Sequence, residues 1–303
     1  MICYLGSPEE FAIYIYTLFE CFFSYYDIHL SNIPFRKKSF ELIKGSKNMK
    51  KKIFLDSGAF SAWTKGVEID IDEYIAFIKE HKKLIAHYSV LDEIGNPKKT
   101  LANQKYMEKK GLSPIPCFHY NEDEKYLQLY VEEYDYISLG GMVPISTNKL
   151  EPWLNKVWAR YLIDKRGFPK VKVHGFGMTI IKLMRIYPWY SVDSVSWLFQ
   201  GRTGSIYVPR WDDEDYDYSK SPHTVLVSEK GSKKKEHFSQ YSLPWQKRIL
   251  SYLKEKGFSM EELATDYKKR DLLNIMFFQD FVKTLPKWPW TFKREGTSEG
   301  PFL

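Results

Sequence analysis

The sequence predicts an α/β protein of the (β/α)8 TIM-barrel type, with a basic, mostly helical C-terminal extension. Two patterns predict it. Short apolar runs of strand character alternate with stretches of helical spacing, and eight such strands are found, the number this barrel needs. Polar residues and glycines also stand at the carboxyl ends of the runs: Asp56, Asp92, His119, Gly140-Gly141, His174-Gly175 and Asp193. In a parallel barrel those ends form the mouth, where catalytic groups gather.

The elements follow in order. The first strand is 2–5. A helix starts after Ser7-Pro8, a cap and first-turn pair, and takes in the apolar run 11–26. That run is short for a bilayer, is interrupted by Glu20 and follows Glu9 and Glu10, so it predicts a buried helix and neither a membrane span nor a signal peptide. Residues 27–33 are read as the second strand and 52–56 as the third. The segment 70–83 has helical spacing, with Ile71, Ile75 and Ile78 on one face and Asp72 and Glu73 in the first turn. Strands at 86–91, 113–118, 136–139, 171–173 and 191–195 complete the eight. Helices at 96–111, 121–133, 152–165 and 179–186 separate them. The barrel is thus expected over 1–210 and the extension over 211–303. In the extension 211–218 is acidic and aromatic, and 220–235 is a basic, Ser-rich loop containing Lys233, Lys234 and Lys235. Two helices follow, at 244–256 and 259–282. The tail 287–294 interleaves basic residues with Trp288, Trp290 and Phe292, which suits nucleic-acid contact and equally suits aromatic side chains docked on the barrel.

Composition narrows the function classes. A chain of 303 residues that is 44% hydrophobic can bury a large core, so a disordered protein is excluded. The net charge of +7 permits a polyanionic partner without requiring one. Cys3, Cys21 and Cys117 have no CxxC spacing, so neither a disulfide framework nor a structural zinc site is indicated, and a reducing cytoplasm is the expected location. No cofactor or metal is expected, and the absence of His-x-His at a strand end disfavours a metal-dependent amidohydrolase.

Within this frame, Ser191-Val-Asp-Ser-Val195 reads as a short buried strand with a carboxylate at its centre, costly to keep ionised unless donors surround it. A strand-end Asp that caps the next element is the plainer alternative. Gly201-Arg-Thr-Gly204 reads as a glycine-bracketed turn whose arginine suits an anionic group. Asp56 and Asp193 supply the two carboxylates needed for displacement at a sugar carbon, one attacking and one moving a proton on the leaving group.

Four motifs carry a family resemblance. Asp56-Ser-Gly-Ala-Phe-Ser61 resembles the Asp-Ser-Gly-Gly-Phe-Gln motif of tRNA-guanine transglycosylases. Val192-Asp-Ser-Val195 and the later Gly201-Arg-Thr-Gly204 resemble their Phe-Asp-Cys-Val nucleophile strand and Gly-Arg-Asn-Gly turn. Val90-Leu-Asp-Glu93 is similar to their Phe-Asp-Glu, and Leu139-Gly-Gly-Met142 to their Gly-Gly-Leu. The motifs occur in the family's order and span roughly residues 50–210.

The resemblance implies exchange of a guanine in a nucleic acid for guanine or a 7-deazaguanine. Asp193 would attack C1′ and form a covalent glycosyl intermediate, and Asp56 would be the general acid/base. Asp92 would hold the base with backbone groups of Gly140 and Gly141, and Phe60 would stack on it. Ser57, His119, His174 and Gly175 would complete the base pocket. Arg202 would meet the backbone phosphate, with Lys233, Lys234 and Lys235 as further nucleic-acid contacts. The sequence also departs from the family. No cysteine follows Cys117, so the C-terminal zinc site is missing, and His119 and His174 replace a base-reading Gln and a base-covering Met. Each histidine is equally readable as a buried, hydrogen-bonded barrel residue. The short, zinc-free chain looks more like the phage and bacterial relatives that place 7-deazaguanines in DNA. DNA is therefore the expected substrate, with tRNA as the alternative. An N-glycosylase-type hydrolase and a catalytically inactive nucleic-acid-binding barrel are the rival readings, and a protein partner or homo-oligomer stays open.

Overall fold

Eight parallel strands form one sheet in a computed structural model that describes residues 2–6, 21–24, 53–194, 196–231 and 236–292. They are β1 (Ile2–Gly6), β2 (Cys21–Ser24), β3 (Ile53–Asp56), β4 (Ile85–Tyr88), β5 (Cys117–His119), β6 (Tyr136–Gly140), β7 (Lys172–Gly175) and β8 (Ser191–Ser194). The order is β4-β3-β2-β1-β8-β7-β6-β5. The residues beyond the two end strands meet in a parallel bridge, Ser89 to Ile115, where Val90 N–H donates to Ile115 O at 3.0 Å and Ile115 N–H to Tyr88 O at 2.9 Å. The protein is therefore a mixed α/β fold on a parallel sheet.

Helices fill the connections: α1 (Ala59–Lys65) and α2 (Ile71–Glu80) before β4, α3 (Pro97–Lys109) before β5, and α4 (Glu124–Glu133) before β6. Then come α5 (Thr147–Val157), extended by a π-helical turn Trp158–Leu162, before β7, and α6 (Ile181–Ile186) before β8. Local chemistry accounts for their starts. Asp70 caps α2 by accepting from the N–H groups of Asp72 and Glu73, and Asn96 caps α3 ahead of Pro97. Tyr74, Ile75, Phe77 and Ile78 form the buried face of α2 and pack with Ile53, Leu55 and Ile85. Strand alternation then puts Phe54 and Asp56 on the opposite face of β3 from Ile53 and Leu55. There Phe54 stacks on His174 of β7, with ring centroids 4.4 Å apart.

The second strand differs from expectation. It is Cys21–Ser24, paired in parallel with both β1 and β3, and so lies inside the run assigned to the first helix. A continuous apolar run has no period, so the pattern cannot tell buried helix from buried strand. Residues 27–33 lie outside the described residues. In addition, α5 begins at Thr147 and runs through Pro152 rather than starting there.

The boundary expected at 210 also moves. One compact unit comprises Met1–Met178, Ile186–Ser194 and Pro286–Leu303, and the other Thr179–Arg185 and Val195–Leu285. The second unit holds α7 (Ser196–Arg202), β9 (Ser205–Val208), β10 (Arg210–Asp212), β11 (Asp215–Asp217), β12 (His223–Leu226), α8 (Leu243–Glu255), α9 (Met260–Thr265) and α10 (Tyr267–Lys283). Helices make up most of its regular structure, as expected, but it also carries strands: β9 pairs with β12 and β10 with β11, all antiparallel. Its core joins Ile206, Val208 and Val225 to Ile249, Leu253, Leu263 and Leu273. Asn274 of α10 accepts the Tyr207 N–H at 2.7 Å and ties the helix to β9. The chain beyond Pro286 returns to the first unit. Trp288 Nε1 donates to Pro188 O at 3.1 Å, and the buried Phe292 stacks on Tyr187. Of the two readings of the tail, these aromatics follow the docked one.

Candidate active site

The carboxyl ends of β3, β5, β6, β7 and β8 gather most of the residues singled out above. Asp56 is the last residue of β3. Ser89 Oγ faces its Oδ1 at 3.4 Å and also accepts the Ser57 N–H at 2.9 Å. Gly58 takes φ 76°, which a glycine adopts without strain, and turns the chain into α1. Burial pushes the Asp56 carboxyl up to about 8, and the charges of Asp92 and Asp193 add to this against the Gly58 N–H and Ser89 hydroxyl. At neutral pH Asp56 is mainly a neutral acid.

Asp193, on β8, is 6% exposed and sits among donors. Gly177 N–H donates to its Oδ1 at 2.6 Å, and His174 Nε2 lies 3.5 Å from the same oxygen. Behind His174, a polar chain runs down the sheet: His174 Nδ1 to Ser191 Oγ at 2.7 Å, and Ser191 Oγ to Tyr136 Oη at 2.6 Å. His174 is fully buried and burial lowers its pKa, so the ring is neutral, although Asp193 pulls the other way. One direction of donation satisfies the chain: Tyr136 to Ser191, Ser191 to Nδ1, and Nε2–H toward Asp193. Gly177 (φ 64°) accommodates the loop that presents its N–H, and a Cβ there would lie 2.7 Å from Val143 Cγ2.

The third group centres on His119, the last residue of β5. Its Nε2 lies 2.9 Å from Asp92 Oδ2 and 3.5 Å from Cys117 Sγ, and its Nδ1 lies 3.1 Å from Glu122 Oε1. Glu122 also accepts the His119 backbone N–H at 2.9 Å. Asp92 Oδ1 accepts from Ser57 Oγ at 2.8 Å. Burial works against a charged imidazole, but Cys117, Asp92 and Glu122 outweigh it and hold the His119 pKa well above its ordinary value. Burial raises the Cys117 thiol, which leaves it neutral. Gly140 forms the adjoining wall of β6, where a Cβ would lie 2.8 Å from His119 Cδ2 and 2.9 Å from Cys117 Sγ.

Asp56, Ser57, Asp92, His119, Gly140, Gly141, His174, Gly175 and Asp193 thus all fall on or just after strands of the parallel sheet. Phe60 lies on α1 and is 49% exposed, with Trp63 beside it. Arg202 is exposed on the last turn of α7, in the second unit. Gly201 before it lies in the last turn of that helix, where a side chain would collide with Asp271 of α10, and Thr203-Gly204 form the turn that follows, with Gly204 at φ 97°. Lys233, Lys234 and Lys235 lie outside the described residues. Sequence reasoning missed Cys117, Glu122, Ser89 and Tyr136. The signal for Cys117 was available, since residues two apart on a strand share a face and Cys117-Phe-His119 ends β5. A separate cavity of about 370 Å³, lined by His87, Ile115, Asp135 and Tyr136 among others, lies at the opposite, amino end of β5 and β6 and holds none of the three carboxylates. No protein-family model matches the chain, and neither does any of the curated proteins compared with it.

Proposed function

We propose that this protein is a base-exchange transglycosylase: it replaces a guanine in a nucleic acid, DNA in preference to tRNA, with a 7-deazaguanine. The observation that carries the reading is the opposite environments of two carboxyl groups at one end of one sheet. Asp56 is held protonated by burial and by its acidic neighbours, whereas Asp193 receives the Gly177 N–H and faces His174. A carboxyl group kept protonated, beside a second that is held by a backbone N–H, supplies the parts of an acid and a nucleophile.

In this reading the leaving guanine takes the Asp56 proton as the Asp193 oxygen bonds to C1′. The incoming base then gives its proton to Asp56 as it displaces Asp193. Asp92 suits the N1 and N2 donors of guanine, and the exposed ring of Phe60 suits stacking. The sheet itself is read as a (β/α)8 barrel, which would turn these strand ends into a mouth. Phe54 on β3 and His174 on β7 support closure, since three strands stand between theirs in the order. Four spacings of about 4.8 Å in a flat sheet would hold them about 19 Å apart, yet their ring centroids are 4.4 Å apart. The Ser89–Ile115 bridge joining the two ends of the order supports it too.

Covalent trapping tests the mechanism. Wild-type protein incubated with guanine-containing DNA and then denatured should carry a protein–DNA adduct, and Asp193→Asn should form none while still binding DNA. An adduct of undiminished yield in Asp193→Asn would remove Asp193 as the nucleophile.

A further inference from the structure

The cluster around His119 includes Cys117 and Glu122, to which base recognition gives no task. We propose that Cys117 Sγ, His119 Nε2 and the Asp92 carboxylate form a site for one transition-metal dication of the zinc type, with Glu122 as the group that orients His119. The three donor atoms lie within 4.8 Å of one another. A tetrahedral ion with bonds of about 2.3 Å to sulfur and about 2.0 Å to nitrogen holds those atoms about 3.5 Å apart. Cys117 Sγ and His119 Nε2 are 3.5 Å apart. The Asp92 oxygen lies 2.9 Å from Nε2, a few tenths of an ångström inside the spacing that a tetrahedral ion sets between oxygen and nitrogen.

The ring is also held as a metal-bound ring is held. With Nδ1–H given to Glu122, Nε2 is turned toward Cys117 and Asp92, as in the carboxylate–histidine–metal arrangement. Glu122 is itself fixed by the His119 backbone N–H, and Ser57 occupies Asp92 Oδ1, leaving Oδ2 for the ion. Gly140 closes the wall against both Cys117 and His119. Two carboxylates and a thiol converge here on one imidazole. An entering dication replaces the proton on Nε2 and the proton on Sγ, so two protons leave as it binds. A thiolate with an imidazole and a carboxylate favours zinc, cobalt or copper over magnesium or calcium. Three protein ligands leave a fourth position for water or a heteroatom of a bound base. The inference does not rest on base exchange, and its test uses no nucleic acid.

The full-length protein, stripped with a chelator and dialysed, is titrated with cobalt(II) and separately with zinc. One ion per chain is expected, with a thiolate-to-cobalt charge-transfer band in the near ultraviolet. Cys117→Ser should lose the band while keeping the wild-type circular dichroism, and Glu122→Gln should bind about 10- to 100-fold more weakly with the band retained. No band and no stoichiometric metal in the wild type would overturn the site and leave the cluster a histidine pinned between carboxylates. A band surviving in Cys117→Ser would overturn it equally, by placing the thiolate elsewhere. Should Cys117→Ser fail to fold, Asp92→Asn decides: unchanged metal affinity there would refute the ligand set.

Discussion

Asp56 shows how a single position sets both chemistry and cost. Its carboxyl is raised from 3.8 to about 8 by burial and by Asp92 and Asp193, so the protonated form is the folded form's preference. A raised pKa contributes stability that is complete below about pH 4 and is lost as pH rises toward about 8. By pH 7 the loss amounts to roughly 4 kcal/mol relative to an Asp of ordinary pKa. Asp56→Asn, neutral at every pH, should therefore raise the melting temperature at pH 7 more than at pH 4, measured by calorimetry. The same substitution should lower exchange by about 10²- to 10⁴-fold, the usual worth of a general acid. In the wild type, kcat/KM should fall as pH rises past about 8, when the acid is lost. A profile flat to pH 9.5 or so would show that the Asp56 proton is not used. His174 gives a second test. His174→Phe keeps a ring against Phe54 but removes the group facing Asp193. If Asp193 is the nucleophile proposed above, it should lower kcat by about tenfold or more with KM little changed, because that carboxylate loses a donor and the substrate loses no contact.

At the scale of elements, what could be read in advance depended on period. Strands bounded by helices of clear spacing, such as β3 before α2 and β6 after α4, were legible, and with them the strand-end positions of Asp56, His119 and Gly140. The apolar run holding Cys21–Ser24 was not, because its pairing with β1 and β3 decides its form and no local pattern does. The β9–β12 and β10–β11 pairs were missed for a related reason. Ser205, Ile206, Tyr207 and Val208 are all buried, so β9 has no polar face to reveal alternation. Glycines were legible as special, but their packing role was not: Gly201 was read only as one end of a turn, and its α carbon also faces Asp271 of α10. Gly201→Ala should therefore destabilise the second unit by about 1–3 kcal/mol, the usual cost of overpacking, read as a lower urea midpoint. The His119 cluster was half legible, since Asp92 and His119 were found by strand position but Glu122 acts from the loop beyond β5.

For the whole molecule, charge and division into units bear on the partner. The net charge of +7 and the exposed Phe60 and Trp63 suit a polyanion with accessible bases. Among the described residues no helix is long and apolar enough to cross a membrane. Binding of DNA should weaken steeply with salt, log K falling for each tenfold rise in salt by about 0.9 per neutralised phosphate on a duplex and about 0.7 on a single strand, measured by fluorescence anisotropy across a salt series. Binding insensitive to salt would count against a nucleic-acid substrate. The most direct measurement of all is incorporation of labelled guanine into duplex DNA, single-stranded DNA and tRNA, run side by side with wild-type protein and Asp193→Asn. Base exchange on DNA requires label in DNA with the wild type and none with Asp193→Asn. Release of free guanine from the nucleic acid without any label entering it would contradict exchange and establish hydrolysis in its place.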